Sequence, residues 1–385
     1  PSLRAKFDEW RASTHRIAQQ RRLPEPIFTY GLYLSRVETR VGPQRHRFSL
    51  TQAVPWPTVL TSGVDAASLE AEGAQRRFDA AALSIVRRVS TAYWKLWVIK
   101  RTRQVQKDQL EILRYLFESS RARLEVDRAS LADVGQIQLA SSRLTDVLSG
   151  LDEKERAAEA ELITALGAPP DTKIRIADDP PPLLLPAEDT ASLRASLSAH
   201  PAIESLGLMA ESRTERADAE EAEGYPGFLV GVDYIETGET EMPGVEDSGK
   251  DAVILRLGVK IPLWWNVYGA ARDEAEAQGA VFRAKQAASL DEAQGALDKT
   301  LSEVRDAVRR VKLYRSTLVP QAETVYGSVL GGYQTGDSSL AEVLLAQRDL
   351  LDLQLGLFKA QADHAVAWAR LEEIVGREVR SREIK

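Results

Sequence analysis

The sequence predicts a mainly helical fold with a small β part, built from two copies of one structural repeat. Three observations indicate it: two long tracts almost free of proline, four short segments of alternating character, and a similarity between the two halves of the chain. The 385 residues suffice for two or more domains, and a hydrophobic content of 44% is ordinary for a folded protein.

Long helices are expected in the two proline-poor tracts. Proline is absent from Thr58 to Ala168, and after Pro262 only Pro320 occurs. Both tracts are rich in Ala, Leu, Glu, Arg and Gln, which favour helices. A helix of about 65 residues would be roughly 100 Å long. Such a length indicates a coiled coil or a barrel of helices.

Apolar residues within these tracts recur every seven positions, which keeps them on one seam between packed helices. The core stripes of an ordinary helical bundle are the alternative explanation. One histidine falls in a series, and we expect it to be packed rather than functional. The series are Val89, Leu96, Leu110, Phe117 and Leu124, interrupted by Arg103; Ile137, Leu144, Leu151, Ala158 and Ala165; Val304, Val311, Leu318 and Val325; and Val343, Leu350, Leu357 and Leu371, with His364 in the gap.

Four short segments have the alternation and the β-branched or aromatic content of strands, and they form two predicted hairpins, 26–55 and 227–262. In the second hairpin Leu255 and Leu257 alternate with Arg256. One face would therefore be apolar, with Arg256 and Lys260 on the other face, as in a barrel with a wet lumen. A soluble sheet packed on its apolar face is the alternative. Four strands cannot close a barrel alone, so closure would need several chains.

The two halves of the chain resemble each other. Residues 1–31 align with 201–231 without a gap, and 124–134 align with 333–343. Each half then reads helix, strand, strand, long helix, turn, long helix, which indicates an internal duplication. The predicted parts are a first repeat, 1–167, with its helical hairpin at 58–167; a Pro-rich linker, 168–200; and a second repeat, 201–385, with its helical hairpin at 266–377.

Composition argues against several classes of function. The absence of cysteine excludes disulfides and thiol catalysis, and the four histidines lack metal-ligand spacing. The net charge of -7 argues against nucleic-acid binding. The sequence contains no run of about 18 apolar residues, so it predicts no transmembrane helix. We therefore expect no enzyme, no metal and no cofactor. The chain opens at Pro1 without a signal peptide, which suggests a processed or trimmed form.

The order of these elements resembles that of the TolC-like outer-membrane efflux proteins, in both halves of the chain. The motif YxxGxxSLxDVLxAQ, at the bend of that family's helical hairpin, is matched well by residues 333–347. The first copy departs from it, because Leu124 replaces the tyrosine and Asp127 replaces the glycine. Asp127 could still adopt the left-handed turn conformation, although less readily than glycine.

This resemblance implies a homotrimer with a twelve-stranded β-barrel, continued by a long periplasmic α-helical barrel. It implies the outer membrane of a Gram-negative bacterium, contact with outer-membrane lipid, and passive export from an inner-membrane pump through a periplasmic adaptor. No cofactor and no nucleic acid would be bound. A periplasmic coiled-coil adaptor or structural protein remains the alternative, although adaptors usually carry one helical hairpin and further β domains.

The same resemblance suggests functional residues at the two bends. Glu342 and Asp133 would ring the pore entrance, whereas the family's second acid aligns with Leu345. The alternative for both acids is a solvated helix position. The hairpin tips would contact the adaptor, with simple helix-turn packing as the alternative. The tip residues are Leu131, Leu340, Asp127 and Gly336.

Three tryptophans lie where strands give way to helices: Trp56, Trp264 and Trp265. Tryptophan is enriched at membrane–water interfaces, because its ring is apolar and its N–H is polar. We expect these residues to anchor the protein at such an interface, with core packing as the alternative.

Overall fold

The computed structural model describes residues 2–126 and 129–383, and it confirms the mainly helical class and the duplicated order of elements. The elements of the first half are α1 (Ser2–Gln20), β1 (Ile27–Thr39), β2 (Gly42–Val54), α2 (Pro57–Leu124) and α3 (Leu131–Leu166). Next come β3 (Leu184–Pro186), α4 (Thr190–Ser196) and a 3₁₀ turn (Leu197–Ala199). The second half contains α5 (Pro201–Glu223), β4 (Gly227–Thr237), β5 (Ala252–Lys260), α6 (Trp265–Leu313), a π-helical turn (Tyr314–Leu318), α7 (Val319–Thr335), α8 (Leu340–Val375) and β6 (Ser381–Glu383).

Two compact units make up the chain, and each contains parts of both sequence repeats. The sheet unit consists of Ser2–Asp79 and Pro201–Ser289. The hairpin unit consists of the described parts of Ala80–His200 and Leu290–Lys385. The compact units therefore do not coincide with the duplicated segments.

The sheet unit contains an antiparallel sheet with the strand order β1-β2-β4-β5. The two predicted hairpins are β1–β2 and β4–β5, and the pairing of β2 with β4 joins them. In one row across the sheet, Tyr30 lies opposite Phe48, Phe48 opposite Tyr234, and Tyr234 opposite Val253. Strands β1 and β5 lie at the two edges.

The tight turn between β1 and β2 depends on a glycine. Gly42 has φ 135°, a conformation that L side chains rarely adopt. A Cβ added there would lie 1.8 Å from the carbonyl oxygen of Gly238. The turn and the β4–β5 loop therefore approach so closely that only glycine fits.

The heptad series form the core of the hairpin unit. Side chains from all four series are fully buried, among them Leu96, Ile137, Val304, Val343 and Leu371. They pack in separate clusters along the helices rather than in one central core. Within the described residues, no helix combines the length and the apolar character needed to cross a membrane.

The third heptad series ends early, because the helix changes its geometry. Val311 is buried, whereas Val325 is exposed. The π-helical turn at Tyr314–Leu318 separates them, two residues before Pro320. Proline has no N–H to donate to the preceding turn, and a π turn adds one residue to the helix. The added residue rotates the following positions away from the seam.

A second, two-stranded sheet pairs β3, from the predicted linker, with β6 near the C-terminal end of the described chain. The His364 side chain from α8 is buried and bonds to β3, with its Nε2 2.8 Å from the Leu184 carbonyl oxygen. Next to this sheet, Arg377 donates two hydrogen bonds to the Glu188 carboxylate, at 3.0 and 2.7 Å. His364 is therefore packed, as the sequence predicts.

Candidate functional sites at the helix bends and on the sheet

The second bend lies between α7 and α8 and is closed by Gly336. Its φ is 97°, in the left-handed region, and its N–H donates to the Gly332 carbonyl oxygen at 2.9 Å. Glycine adopts this conformation without the steric cost that a Cβ would bring. The residue therefore ends α7 sharply and allows α8 to begin four residues later.

The start of α8 is fixed by a reciprocal pair of hydrogen bonds between Ser339 and Glu342. The Glu342 N–H donates to the Ser339 hydroxyl at 3.3 Å, and the Ser339 N–H donates to Glu342 Oε2 at 2.7 Å. Each side chain thus satisfies a backbone donor that has no partner within the helix. The backbone N–H of Ser339 also lowers the pKa of Glu342, so this carboxylate stays charged.

The first bend contains the equivalent arrangement at the start of α3. The Asp133 N–H donates to the Ser130 hydroxyl at 3.1 Å, and the Ser130 N–H donates to Asp133 Oδ2 at 2.9 Å. Asp127, the residue predicted at the tip of this bend, lies outside the described residues.

The structure therefore gives both predicted entrance acids a local role in capping a helix. That role was readable in the sequence, because Ser-x-x-Asp and Ser-x-x-Glu before an apolar run are the pattern of a capping box. A capping carboxylate carries its charge at the helix N-terminus, where the macrodipole favours it. Capping is thus compatible with a negatively charged ring at each bend.

The two predicted apolar tip residues differ in exposure. Leu131 is 76% exposed, whereas Leu340 is 3% exposed and packs in the core with Tyr333 and Val343. Leu340 lies three residues before Val343, so it shares the buried face of that seam. The helix-turn packing alternative thus applies to Leu340, and Leu131 remains the apolar residue available for contact.

The helix ends at the two bends are bonded to each other within the hairpin unit. The Arg123 guanidinium of α2 donates to the carbonyl oxygens of Tyr333 and Gln334, at 2.8 Å each. The Ser120 hydroxyl lies 2.7 Å from the buried Tyr333 hydroxyl. This tyrosine begins the bend motif at residues 333–347, and the contacts show that it connects the two hairpins.

One face of the four-stranded sheet is apolar and exposed. It carries alternate side chains of all four strands, including Leu255 and Leu257, which the sequence assigns to an apolar face. The exposed members are Phe28, Tyr30, Leu32, Leu50, Phe228, Val230, Val232, Tyr234, Val253, Leu255, Leu257 and Val259. Soluble monomers rarely expose so large an apolar surface, so the surface indicates contact with lipid or protein.

The opposite face of the sheet is polar and centred on Asp233. Its carboxylate is buried and accepts from Arg47 Nη2 at 2.7 Å and from Arg256 Nε at 2.9 Å. Arg256 also donates to the Thr51 hydroxyl at 3.1 Å. Sequence reasoning placed Arg256 and Lys260 on this face but missed the Asp233 cluster, because it joins strands from both halves of the chain.

The three predicted interface tryptophans also differ. Trp264 and Trp265 are exposed at the junction of β5 and α6. Trp56 is partly packed, with its ring 5.7 Å from that of Tyr225 and 6.4 Å from that of Phe228. It lines a cavity of about 360 Å³ in the sheet unit. The packing alternative therefore describes Trp56 in part, and Trp264 and Trp265 remain free to reach an interface.

Among the residues that the structure describes, no group of three or more acidic or histidine side chains is placed to hold a metal ion.

Comparison with known proteins gives one family and a consistent set of folds. The family model described as outer membrane efflux protein matches residues 1–168 and 193–377. The curated outer membrane efflux protein BepC of Brucella suis is 22% identical over 293 residues, which are 74% of this chain and 62% of that protein. The chain thus spans less than two thirds of the length of this relative.

Solved structures match almost the whole chain. The outer membrane protein VceC of Vibrio cholerae is 18% identical, with a TM-score of 0.76 over 98% of this chain and 92% of VceC. A membrane protein of Pseudomonas aeruginosa is 17% identical, with a TM-score of 0.79 over 98% and 90%. The open-state MtrE outer membrane channel of Neisseria gonorrhoeae is 15% identical, with a TM-score of 0.73 over 98% and 86%. These matches confirm the TolC-like fold predicted from the sequence.

Proposed function

Since the chain belongs to the outer membrane efflux protein family, whose members are transport proteins of the Gram-negative outer membrane and not enzymes, we propose that it is one subunit of a passive trimeric duct. In this proposal the duct receives substrates from an inner-membrane pump through a periplasmic adaptor and releases them outside. The duplicated fold, shared with outer membrane channels, supports this class over a coiled-coil adaptor.

The observation that carries the proposal is the open sheet of the sheet unit. Its edge strands, β1 and β5, present backbone donors and acceptors that a partner strand would satisfy. Its exposed apolar face would be stable against lipid, and its polar face against water. Three copies of a four-stranded sheet would supply twelve strands to one closed barrel.

The pore entrance is proposed at the helix bends. A three-fold axis would bring the charged Glu342 and Asp133 side chains of three copies into two rings. Carboxylates around a narrow opening attract cations, because an opening lined by one sign of charge focuses the field. The exposed Leu131 and the left-handed Gly336 would lie at the surface that the adaptor contacts.

Contact with outer-membrane lipid is proposed for the apolar face of the sheet and for Trp264 and Trp265. These exposed indoles lie four and five residues after the end of β5, a strand that carries the exposed Leu255 and Leu257. Indole rings concentrate at the level of the lipid headgroups. The two tryptophans would therefore mark one border of the membrane-embedded band.

Ion conductance tests this proposal. The purified protein should insert into planar lipid bilayers and produce discrete current steps without nucleotide or an ion-motive pump. A matched sample of Leu257→Arg, whose apolar face is interrupted, should produce far fewer insertions. Failure of the unaltered protein to conduct, at concentrations where a known porin does, would contradict the proposed duct.

A further inference from the structure

The polar face of the sheet carries more basic than acidic side chains. In the paired stretches 27–32, 46–54, 227–235 and 252–260, this face holds three cations, Arg47, Arg256 and Lys260, and one carboxylate, Asp233. The chain as a whole has a net charge of -7, so this face is opposite in sign to the protein that carries it.

The single acid of this face is buried, whereas its two arginine partners are partly exposed. The Asp233 side chain is 1% exposed, whereas those of Arg47 and Arg256 are 41% and 44% exposed. Both guanidiniums bond to the same oxygen, Oδ2 of Asp233. A guanidinium has five N–H donors, so each retains donors for a ligand on its exposed side. Asp233 therefore fixes the two cations in place while solvent meets mainly positive charge.

Lys260 extends this charge toward the end of β5. Its side chain is exposed and shares a face with Arg256, four residues away on the same strand. Arg256 is in turn braced by its bond to the Thr51 hydroxyl. Arg256 and Lys260 thus form a line of positive charge along β5, called the basic line below, rather than a single charged point.

We propose that this polar face forms an anion-attracting section of the duct, which binds carboxylate, phosphate or sulfate groups of the substrates that pass it. The inference rests on the proposed function, because the face encloses a lumen only if several sheets close into a barrel. Closure would repeat the basic line around one axis, and a low-dielectric wall would focus its field. Guanidiniums suit such groups, since their fork matches the geometry of oxyanions.

The test is block of the ionic current by inorganic tripolyphosphate, added to the side of the bilayer that the β4–β5 loops face. Addition on that side probes the barrel separately from the acidic rings proposed at the helix bends. The variants are Lys260→Gln, which leaves the Asp233 cluster intact, and the double variant Arg256→Gln/Lys260→Gln. Lys299→Gln, on α6 and outside the sheet unit, is the control that loses one positive charge, as Lys260→Gln does.

The half-blocking concentration should rise in Lys260→Gln, and by at least about fivefold in the double variant, because local ion concentration depends steeply on such fields. For Lys299→Gln the half-blocking concentration should equal that of the unaltered protein. Conducting channels whose block is unchanged in both sheet variants, or equally changed in Lys299→Gln, would overturn the inference and leave the duct intact. An unaltered protein that does not conduct would overturn both.

Discussion

The Arg123 guanidinium lies over the Tyr333 ring, 4.6 Å from the ring centroid, and also donates to the Tyr333 carbonyl oxygen at 2.8 Å. One residue of the first helical hairpin thus holds both the ring and the backbone of the second. Because α7 ends two residues later at Thr335, this contact fixes the place at which the chain bends. The two bends are therefore held to each other by direct contacts rather than being two separate loops.

Replacing Arg123 by lysine should loosen the second bend. Lysine keeps the charge but cannot donate to two carbonyl oxygens in a fork, nor stack as a plane on the ring. We expect a loss of about 1 kcal/mol and faster hydrogen exchange at residues 331–337. Arg121→Lys, an exposed change in the same helical turn, is the control. Equal exchange in both variants would show that the contact does not hold the bend.

Gly336→Ala should destabilise the second bend, because an L residue in the left-handed region costs about 1–2 kcal/mol. The control is Gly327→Ala, inside α7, where a Cβ meets nothing within 4 Å and alanine favours the helix. In thermal unfolding, the midpoint temperature should fall for Gly336→Ala and rise for Gly327→Ala. A Gly336→Ala protein as stable as the unaltered one would contradict the role assigned to this glycine.

Glu342→Gln tests the proposed pore entrance without removing the helix cap. Glutamine retains a side-chain oxygen that can accept from the Ser339 N–H, so stability should change little. The lost charge should lower cation preference, measured as the reversal potential under a salt gradient, and weaken block by multivalent cations. Asp133→Asn makes the same comparison at the first bend. Unaltered selectivity and unaltered block would show that Glu342 does not line the entrance.

The apolar face of the sheet should tolerate no charge. Leu257→Arg should cost about 2–4 kcal/mol if this residue lies near the bilayer midplane. Thr29→Arg places the same side chain on the polar face of the other edge strand, where water would solvate it. Refolding into lipid vesicles should therefore fail for the first variant only. Equal refolding yields would show that the two faces are wrongly assigned.

The buried His364 predicts a pH dependence of stability. Burial lowers its pKa below the ordinary value of 6.5, so the unfolded chain binds a proton that the folded chain excludes. Stability should accordingly fall as the pH drops below about 6.5, by at most about 1.4 kcal/mol per pH unit. His364→Gln should flatten the unfolding profile in that range. A profile as steep in the variant would assign the effect to other groups.

Local patterns predicted much of this fold, and long-range pairing limited the prediction. Alternation found the strands and the heptads found the seams, because both depend on neighbours along the chain. The pairing of β2 with β4 brings Ser49 opposite Asp233, and no local pattern indicates such a register. For that reason the sequence did not predict the Asp233 cluster or the division into a sheet unit and a hairpin unit. Val325 lies off its predicted seam because the π turn before it rotates the helix. The heptad pattern gave no sign of that turn.

The aligned motif did not distinguish between the two apolar tip residues. Leu131 and Leu340 occupy equivalent places in the aligned motif, yet one is exposed and the other buried. Val343, three residues after Leu340, is fully buried, whereas its counterpart Val134 is only half-buried. The buried seam of α3 begins at Ile137, six residues or about one and two-thirds turns after Leu131. Helix phase therefore had to be considered along with the motif.

The central claim, that three sheets close into one barrel, is tested most directly by crosslinking across the edge strands. The 385 residues contain no cysteine, so Thr29→Cys/Ile254→Cys carries one thiol on β1 and one on β5. The control, Thr29→Cys/Ser49→Cys, pairs neighbouring strands within one chain. With a flexible bis-maleimide, the account predicts denaturation-resistant dimers and trimers and nothing larger, and only monomers in the control. Monomers alone in the edge variant, or a ladder that continues beyond three chains, would contradict it.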